Sequence, residues 1–132
     1  MQDKNYDIWN EVKKHTQKHR EFWTIKVREI YWIKIGENIG YETNGKGNNF
    51  LRPVLIFRKF SKNTFLGIPL TTSIKDDIFH FSFSYKTNKS SCASLSQIKL
   101  FDTKRIHDKD GKINSEDFKK LKDKLKSLLQ FD

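Results

Sequence analysis

One cysteine, Cys92, stands among 132 residues, so no intrachain disulfide can form. No second thiol and no Cys/His spacing suited to zinc accompanies it, which excludes disulfide scaffolds and structural zinc modules and makes a reducing cytoplasm the expected compartment. Long apolar runs are also missing. None approaches the roughly 20 residues that a bilayer span needs, and Asp3, Lys4, Asp7 and Glu11 interrupt the N-terminus where a signal peptide would be apolar. No membrane partner is expected. Acidic residues are scarce, 16 against 26 bases, for a net charge of +10. The shortage is local: residues 31–105 hold twelve bases and five acids, whereas residues 1–30 hold seven and five and residues 106–132 seven and six. The middle of the chain therefore sets up a field that attracts a polyanion.

With 132 residues the chain is bounded to one folded unit with one core, supplied with bulk by eleven Phe and three Trp. Ile8, Trp9, Val12, His19, Phe22 and Trp23 recur at three- and four-residue steps with lysines between them, which predicts an amphipathic N-terminal helix. Strand-like runs follow at Glu29 to Ile35, Pro53 to Phe57, Phe65 to Leu70, Ile78 to Tyr85 and Ala93 to Phe101. Turn-forming clusters at residues 43–49 and 61–63 separate them. Asn114 or Ser115 then caps a last helix, with Glu116 and Asp117 in its first turn and Phe118, Leu121, Leu125, Leu128 and Leu129 on one face. The fold class expected is α+β, mainly β: a small, strongly bent barrel of the SH3-like kind with a C-terminal helix and an extra N-terminal helix. The expected division is residues 1–27 as a helical extension and 28–132 as the globular unit.

Three near-motifs fail on chemistry. Gly40-Tyr41-Glu42-Thr43-Asn44-Gly45-Lys46 lacks the Ser or Thr that a phosphate-binding P-loop needs next, since Gly47 stands there. Asp108-Lys109-Asp110-Gly111-Lys112 resembles the middle of a calcium loop, but Ile106 would occupy the first ligand position; a helix-capping turn is expected there instead. His15 and His19 stand four apart with no third ligand. No metal site and no cofactor is expected.

What remains is a pair of strand ends. Arg52-Pro53-Val54-Leu55-Ile56 is a buried-type strand with Arg at its mouth, and Pro69-Leu70-Thr71-Thr72-Ser73 is a second that ends in three hydroxyls. Arg keeps its proton at neutral pH and hydroxyls donate to the same anion, so this pair suits a phosphate. An arbitrary Arg more often anchors a strand through an ion pair, and threonines often merely end a strand.

From about Glu29 to Arg105 the chain resembles the MazF/PemK toxin family, small β-barrel endoribonucleases of bacterial type II toxin–antitoxin pairs. The matching stretches come in the family's order: Glu29-Ile30-Tyr31-Trp32-Ile33, Gly40-Tyr41-Glu42 before Arg52-Pro53-Val54-Leu55-Ile56, Gly67-Ile68-Pro69-Leu70-Thr71-Thr72-Ser73, Leu95-Ser96-Gln97-Ile98, and Asp102-Thr103-Lys104-Arg105. The chain departs from the pattern at Arg28, where the family usually has Gly. It departs again at Ser94 and Ser96, where some members carry charged residues offered as catalytic.

The resemblance implies metal-independent, sequence-specific cleavage of single-stranded RNA, with the ribose 2′-hydroxyl attacking its own phosphorus, and so an arrest of translation and growth. It implies Arg52, Thr71 and Glu42 as the catalytic set: Arg52 and Thr71 to stabilise charge on the phosphoryl oxygens, Glu42 as base or positioning group. The resemblance favours Thr71 over Thr72, since Thr71 matches the family position, while alternation turns the neighbouring side chain to the opposite face. Thr72, Ser73, Tyr41, Phe50, Lys46 and Gln97 are substrate-binding candidates. Tyr41, Phe50 and also Phe60 offer faces for unpaired bases, and Gln97 has a competing role in organising the barrel. The implied partners are a cognate antitoxin, acidic and folding on binding, and a second copy in a homodimer. Two readings from other classes compete: a gyrase-inhibiting toxin of the CcdB kind, which shares the fold, and a noncatalytic nucleic-acid-binding barrel.

Overall fold

The computed structural model of the protein describes residues 23–35 and 51–130. The expected N-terminal helix as far as Phe22 and the segment carrying Tyr41, Glu42, Lys46 and Phe50 lie outside the described residues; Trp23, the last residue expected in that helix, is described and is not helical. Within them run seven strands, β1 Glu29–Lys34, β2 Leu51–Lys59, β3 Thr64–Thr71, β4 His80–Lys86, β5 Lys89–Ser94, β6 Lys99–Asp102 and β7 Ile106–Lys112, followed by helix α1, Ser115–Leu129. All recorded pairings are antiparallel, in the order β4-β5-β3-β2-β1-β7, with β6 also on β3. The result is the mainly β, curled half-barrel with a C-terminal helix that the patterning anticipated.

Two cores explain the apolar runs. Side chains alternate across a strand, so Ile30, Leu55, Ile68 and Leu70 enter one cluster, which Phe118, Leu121 and Leu125 of α1 cover. Tyr31, Ile33, Val54, Ile56 and Phe65 enter a second on the opposite face with Phe101 and Ile106. Val54-Leu55-Ile56 reads as continuous because β2 is buried on both faces; each such side chain contributes about 1.5–3 kcal/mol by leaving water. Gly67 lets β3 approach closely, since a Cβ there would stand 2.5 Å from Val54 Cγ1 and 2.9 Å from Phe101 Cδ2.

Three local expectations are corrected. The run Ala93 to Phe101 is not one strand. β3 pairs with β5 at Leu70 and Thr71 and with β6 from Thr64 to Gly67, and the 3-10 turn Leu95–Gln97 makes the corner between them. The Asp108-to-Lys112 segment is no capping turn; it belongs to β7, which pairs with β1. Capping falls to Asn114, whose Oδ1 accepts from the Asp117 amide at 2.7 Å. Leu129, expected on the apolar face of α1, is 53% exposed, while Leu128 beside it packs against the first core, so the buried stripe of the helix runs through Leu128.

Arg28, where the family pattern has Gly, adopts φ 81°, a left-handed conformation that costs a side-chain-bearing residue roughly 1–2 kcal/mol. The neighbourhood holds it there. Its amide donates to the Ile56 carbonyl at 2.9 Å, its carbonyl accepts from the Ile113 amide at 3.0 Å, and its Nε donates to the Ile113 carbonyl at 3.2 Å.

Candidate functional site

The two ends of the curled sheet, β4 and β7, are joined through side chains. Ile30 of β1 pairs with Gly111 and Tyr31 with Lys109, which leaves Asp110 as the extra residue of a β-bulge. A bulge re-aims a side chain, and here it sends the Asp110 carboxylate across to β4. Asp110 accepts from the Tyr85 hydroxyl at 2.6 Å and pairs with the Lys86 ammonium. Burial and the Asp110 acceptor push the Tyr85 phenol well above its usual pKa, so it remains a donor at neutral pH. Gly111 makes room for this seam: a Cβ on it would lie 2.7 Å from Tyr85 Cδ2.

Beside the seam opens a cleft of about 170 Å³ that Arg52, Thr71 and Thr72 line on one side and Tyr85, Lys86, Lys89 and Asp110 on the other, with Trp32 also in its wall. The sheet register brings the first group together. Leu55 pairs with Ile68 and Val54 with Pro69, and continuing that register by two residues sets Arg52 opposite Thr71. Arg52 Nη1 donates to the Leu70 carbonyl at 3.2 Å, which fixes the guanidinium one residue from Thr71. Burial lowers the Arg52 pKa, yet an arginine so shifted stays charged at neutral pH. Thr71 Oγ1 accepts from the Ser73 amide at 3.2 Å; because the oxygen acts as acceptor there, the hydroxyl proton can still be donated. Among the described residues three bases and one acid line the cleft, which favours an anion, and the Arg fork with an adjacent hydroxyl suits a phosphate.

Of the residues expected at a site, Arg52, Thr71 and Thr72 meet in this cleft. Ser73 is exposed just beyond β3, and its amide shapes the Thr71 turn. Gln97 sits on the 3-10 corner, away from the residues that line the cleft. Phe60 is 57% exposed beyond β2, also apart from the cleft. Asp102 caps a turn by accepting from the Lys104 amide at 2.8 Å, and Arg105 donates to the Lys34 carbonyl at 3.0 Å, so both organise the backbone.

Sequence reasoning missed Trp32, Tyr85, Lys86, Lys89 and Asp110. Lys86 and Lys89 had a legible signal: they flank Thr87-Asn88, a two-residue connection in which Asn88 adopts φ 59°, as Asn commonly does in tight hairpins. Asp110 had none, because its placement depends on a bulge made by tertiary pairing.

A family model described as the PemK-like, MazF-like toxin of type II toxin-antitoxin systems matches residues 26–129. No curated protein matches the chain in sequence. Among solved structures, MazF from Deinococcus radiodurans (form I) superposes with TM-score 0.68 at 17% identity, covering 83% of this chain and 99% of that one. The toxin MazF-mt6 of Mycobacterium tuberculosis gives 0.61 at 14% identity over 80% and 99%. An endoribonuclease from a mycobacterial species, in complex with its cognate antitoxin, gives 0.62 at 13% identity over 83% and 98%.

Proposed function

Because the chain belongs to the PemK-like, MazF-like toxins of type II toxin–antitoxin systems, we propose that it is a metal-independent, sequence-specific endoribonuclease that cuts single-stranded RNA and so inhibits translation and growth. The observation that carries this reading is the convergence of Arg52 and Thr71 on one positively charged cleft. Attack by a 2′-hydroxyl on its own phosphorus places extra negative charge on the phosphoryl oxygens. Donors already fixed around those oxygens lower the barrier without rearranging. Arg52 supplies the fork and the charge, and Thr71 a hydroxyl donor to the same oxygens. Together they do the work a divalent cation would otherwise do. Glu42 is assigned the base or positioning role; Thr72 contacts the substrate within the cleft, and Ser73, Tyr41, Phe50, Lys46 and Gln97 are assigned to substrate that extends beyond the described lining. The catalytic unit is residues 28–132, with residues 1–27 as an extension.

The bacterial cytoplasm, where mRNA is translated, is the compartment. The partners are a cognate antitoxin, as the similar mycobacterial endoribonuclease has in its complex, and a second copy of this chain; an acidic antitoxin segment would suit the basic cleft.

Incubating the purified protein with a pool of single-stranded RNA in excess EDTA tests the reading. Cleavage is expected to persist and to leave 2′,3′-cyclic phosphate ends or their hydrolysed form. Arg52→Ala is expected to slow it on the order of a hundredfold or more; equal rates would mean that the site is elsewhere. RNA left intact while gyrase supercoiling is blocked would overturn the function itself.

A further inference from the structure

The β4–β5 hairpin presents two lysines that the catalytic reading does not use. Lys86 and Lys89 are direct partners across its two-residue turn, an arrangement of like charges that destabilises a hairpin unless something offsets it. Asp110 offsets one of them. It grips Lys86 from across the seam, and the ammonium also lies 5.8 Å from the Trp32 ring centre and 5.6 Å from that of Tyr85. Lys86 is thereby held in place. Lys89 is exposed, lines the same cleft, and contributes a positive charge that Asp110 does not neutralise.

The position relative to Arg52 and Thr71 gives the pair a meaning. Thr71 pairs with Cys92, and Lys89 is three residues along β5 from Cys92, about 10 Å at the usual strand rise. That backbone offset suits contact with a neighbouring phosphate on the same strand of nucleic acid. We propose that Lys89, with Lys86 opposite it, forms a second phosphate-binding subsite, which holds the backbone of a nucleotide flanking the one whose phosphate meets Arg52 and Thr71. Asp110 and Trp32 are positioning residues that keep Lys86 in register and reduce the ordering that binding would otherwise require. The inference rests on RNA being the occupant of the cleft, as argued above. The offset of a further cation from the Arg52 and Thr71 pair suits the repeating phosphates of a nucleic-acid backbone, which favours RNA over an acidic protein segment.

The test is equilibrium binding of the full chain to a single-stranded RNA bearing 2′-O-methyl groups, which cannot be cut by 2′-hydroxyl attack, across a salt series. Each phosphate neutralised in single-stranded nucleic acid contributes about 0.7 to the slope of log affinity against log salt. Lys89→Gln is expected to reduce the slope by about that amount, and Lys89→Arg to restore it. An unchanged slope in Lys89→Gln overturns the subsite, whether or not unmodified RNA is still cut. An unchanged slope with weakened binding of a poly-glutamate peptide assigns the hairpin to a protein partner and also overturns it. A reduced slope in a protein that leaves unmodified RNA intact supports the subsite and overturns the endoribonuclease reading. No RNA binding by the unmutated chain overturns both.

Discussion

Two carboxylates in this molecule have nearly the same company and different surroundings. Glu29, at the start of β1, accepts from the Tyr31 hydroxyl at 2.9 Å, from Lys109 Nζ at 2.6 Å and from the Lys26 amide at 2.7 Å. Asp110, on the neighbouring strand, likewise accepts from one tyrosine and one lysine. Both carboxylates are largely buried, with side chains 10% and 6% exposed. The contrast lies in what stands beyond the lysine. Beyond Lys86 lie Lys89, Arg52 and Thr71 in the wall of a cleft, whereas Lys109 and Glu29 are absent from that wall. A buried carboxylate with paired partners is therefore not a site by itself, since structural networks use the same chemistry. The cleft beside it makes the difference.

Substitutions at the two positions sharpen the contrast. Glu29→Ala and Asp110→Ala each strand a tyrosine hydroxyl and a lysine, and each is expected to cost about 2–3 kcal/mol in urea denaturation. RNA affinity of the folded fraction should fall only for Asp110→Ala. Equal loss of RNA binding in both variants would show that the network at Glu29 also serves the ligand. Smaller and more selective are Tyr31→Phe and Tyr85→Phe, each removing one hydrogen bond worth about 1 kcal/mol. Thermal denaturation should move comparably in the two, while RNA affinity should move only in Tyr85→Phe.

The smallest effect is a pH dependence. Burial alone would raise the Glu29 pKa, but hydrogen bonds from Lys109, Tyr31 and the Lys26 amide outweigh it and hold the carboxyl below its ordinary value of 4.5. A carboxyl lowered on folding stabilises the protein above its unfolded pKa and loses that contribution as pH falls through the folded one. Stability measured from pH 7 downward should therefore decline below about pH 4.5, the ordinary carboxyl value, and decline less steeply in Glu29→Gln. Identical acid limbs would mean that the network leaves the carboxyl unperturbed.

The same two positions explain what could be read without a structure. Contacts between close neighbours in sequence were legible in principle: Glu29 and Tyr31 share a strand face two residues apart, and Asn114 caps a helix through an amide three residues on. The Arg52 and Thr71 pair was legible too, because each ends a short apolar strand and the hairpin between them is brief. Asp110 was not. Asp-Lys-Asp-Gly-Lys has the composition of a turn, and only pairing with β1 makes it a strand. Only the bulge in that pairing turns Asp110 toward Tyr85, 25 residues away in sequence. The corner at Leu95–Gln97 was hidden similarly, since a strand that changes direction within an apolar run keeps the composition of a single strand.

The seam between β4 and β7 has a consequence for aggregation. Among the described residues these end the strand order β4-β5-β3-β2-β1-β7, and an outermost strand with open backbone groups is a template on which a strand from another molecule can add. β7 is a poor template. It is bulged twice along β1, and Asp108, Lys109, Asp110 and Lys112 crowd charge along its seven residues. On β4, Lys86 is drawn inward against Asp110 at the end of the strand. The residues that furnish one wall of the cleft thus also discourage fibre-like stacking of one molecule on the next. Apolar replacements along the seam would expose a stickier edge even where the fold survived.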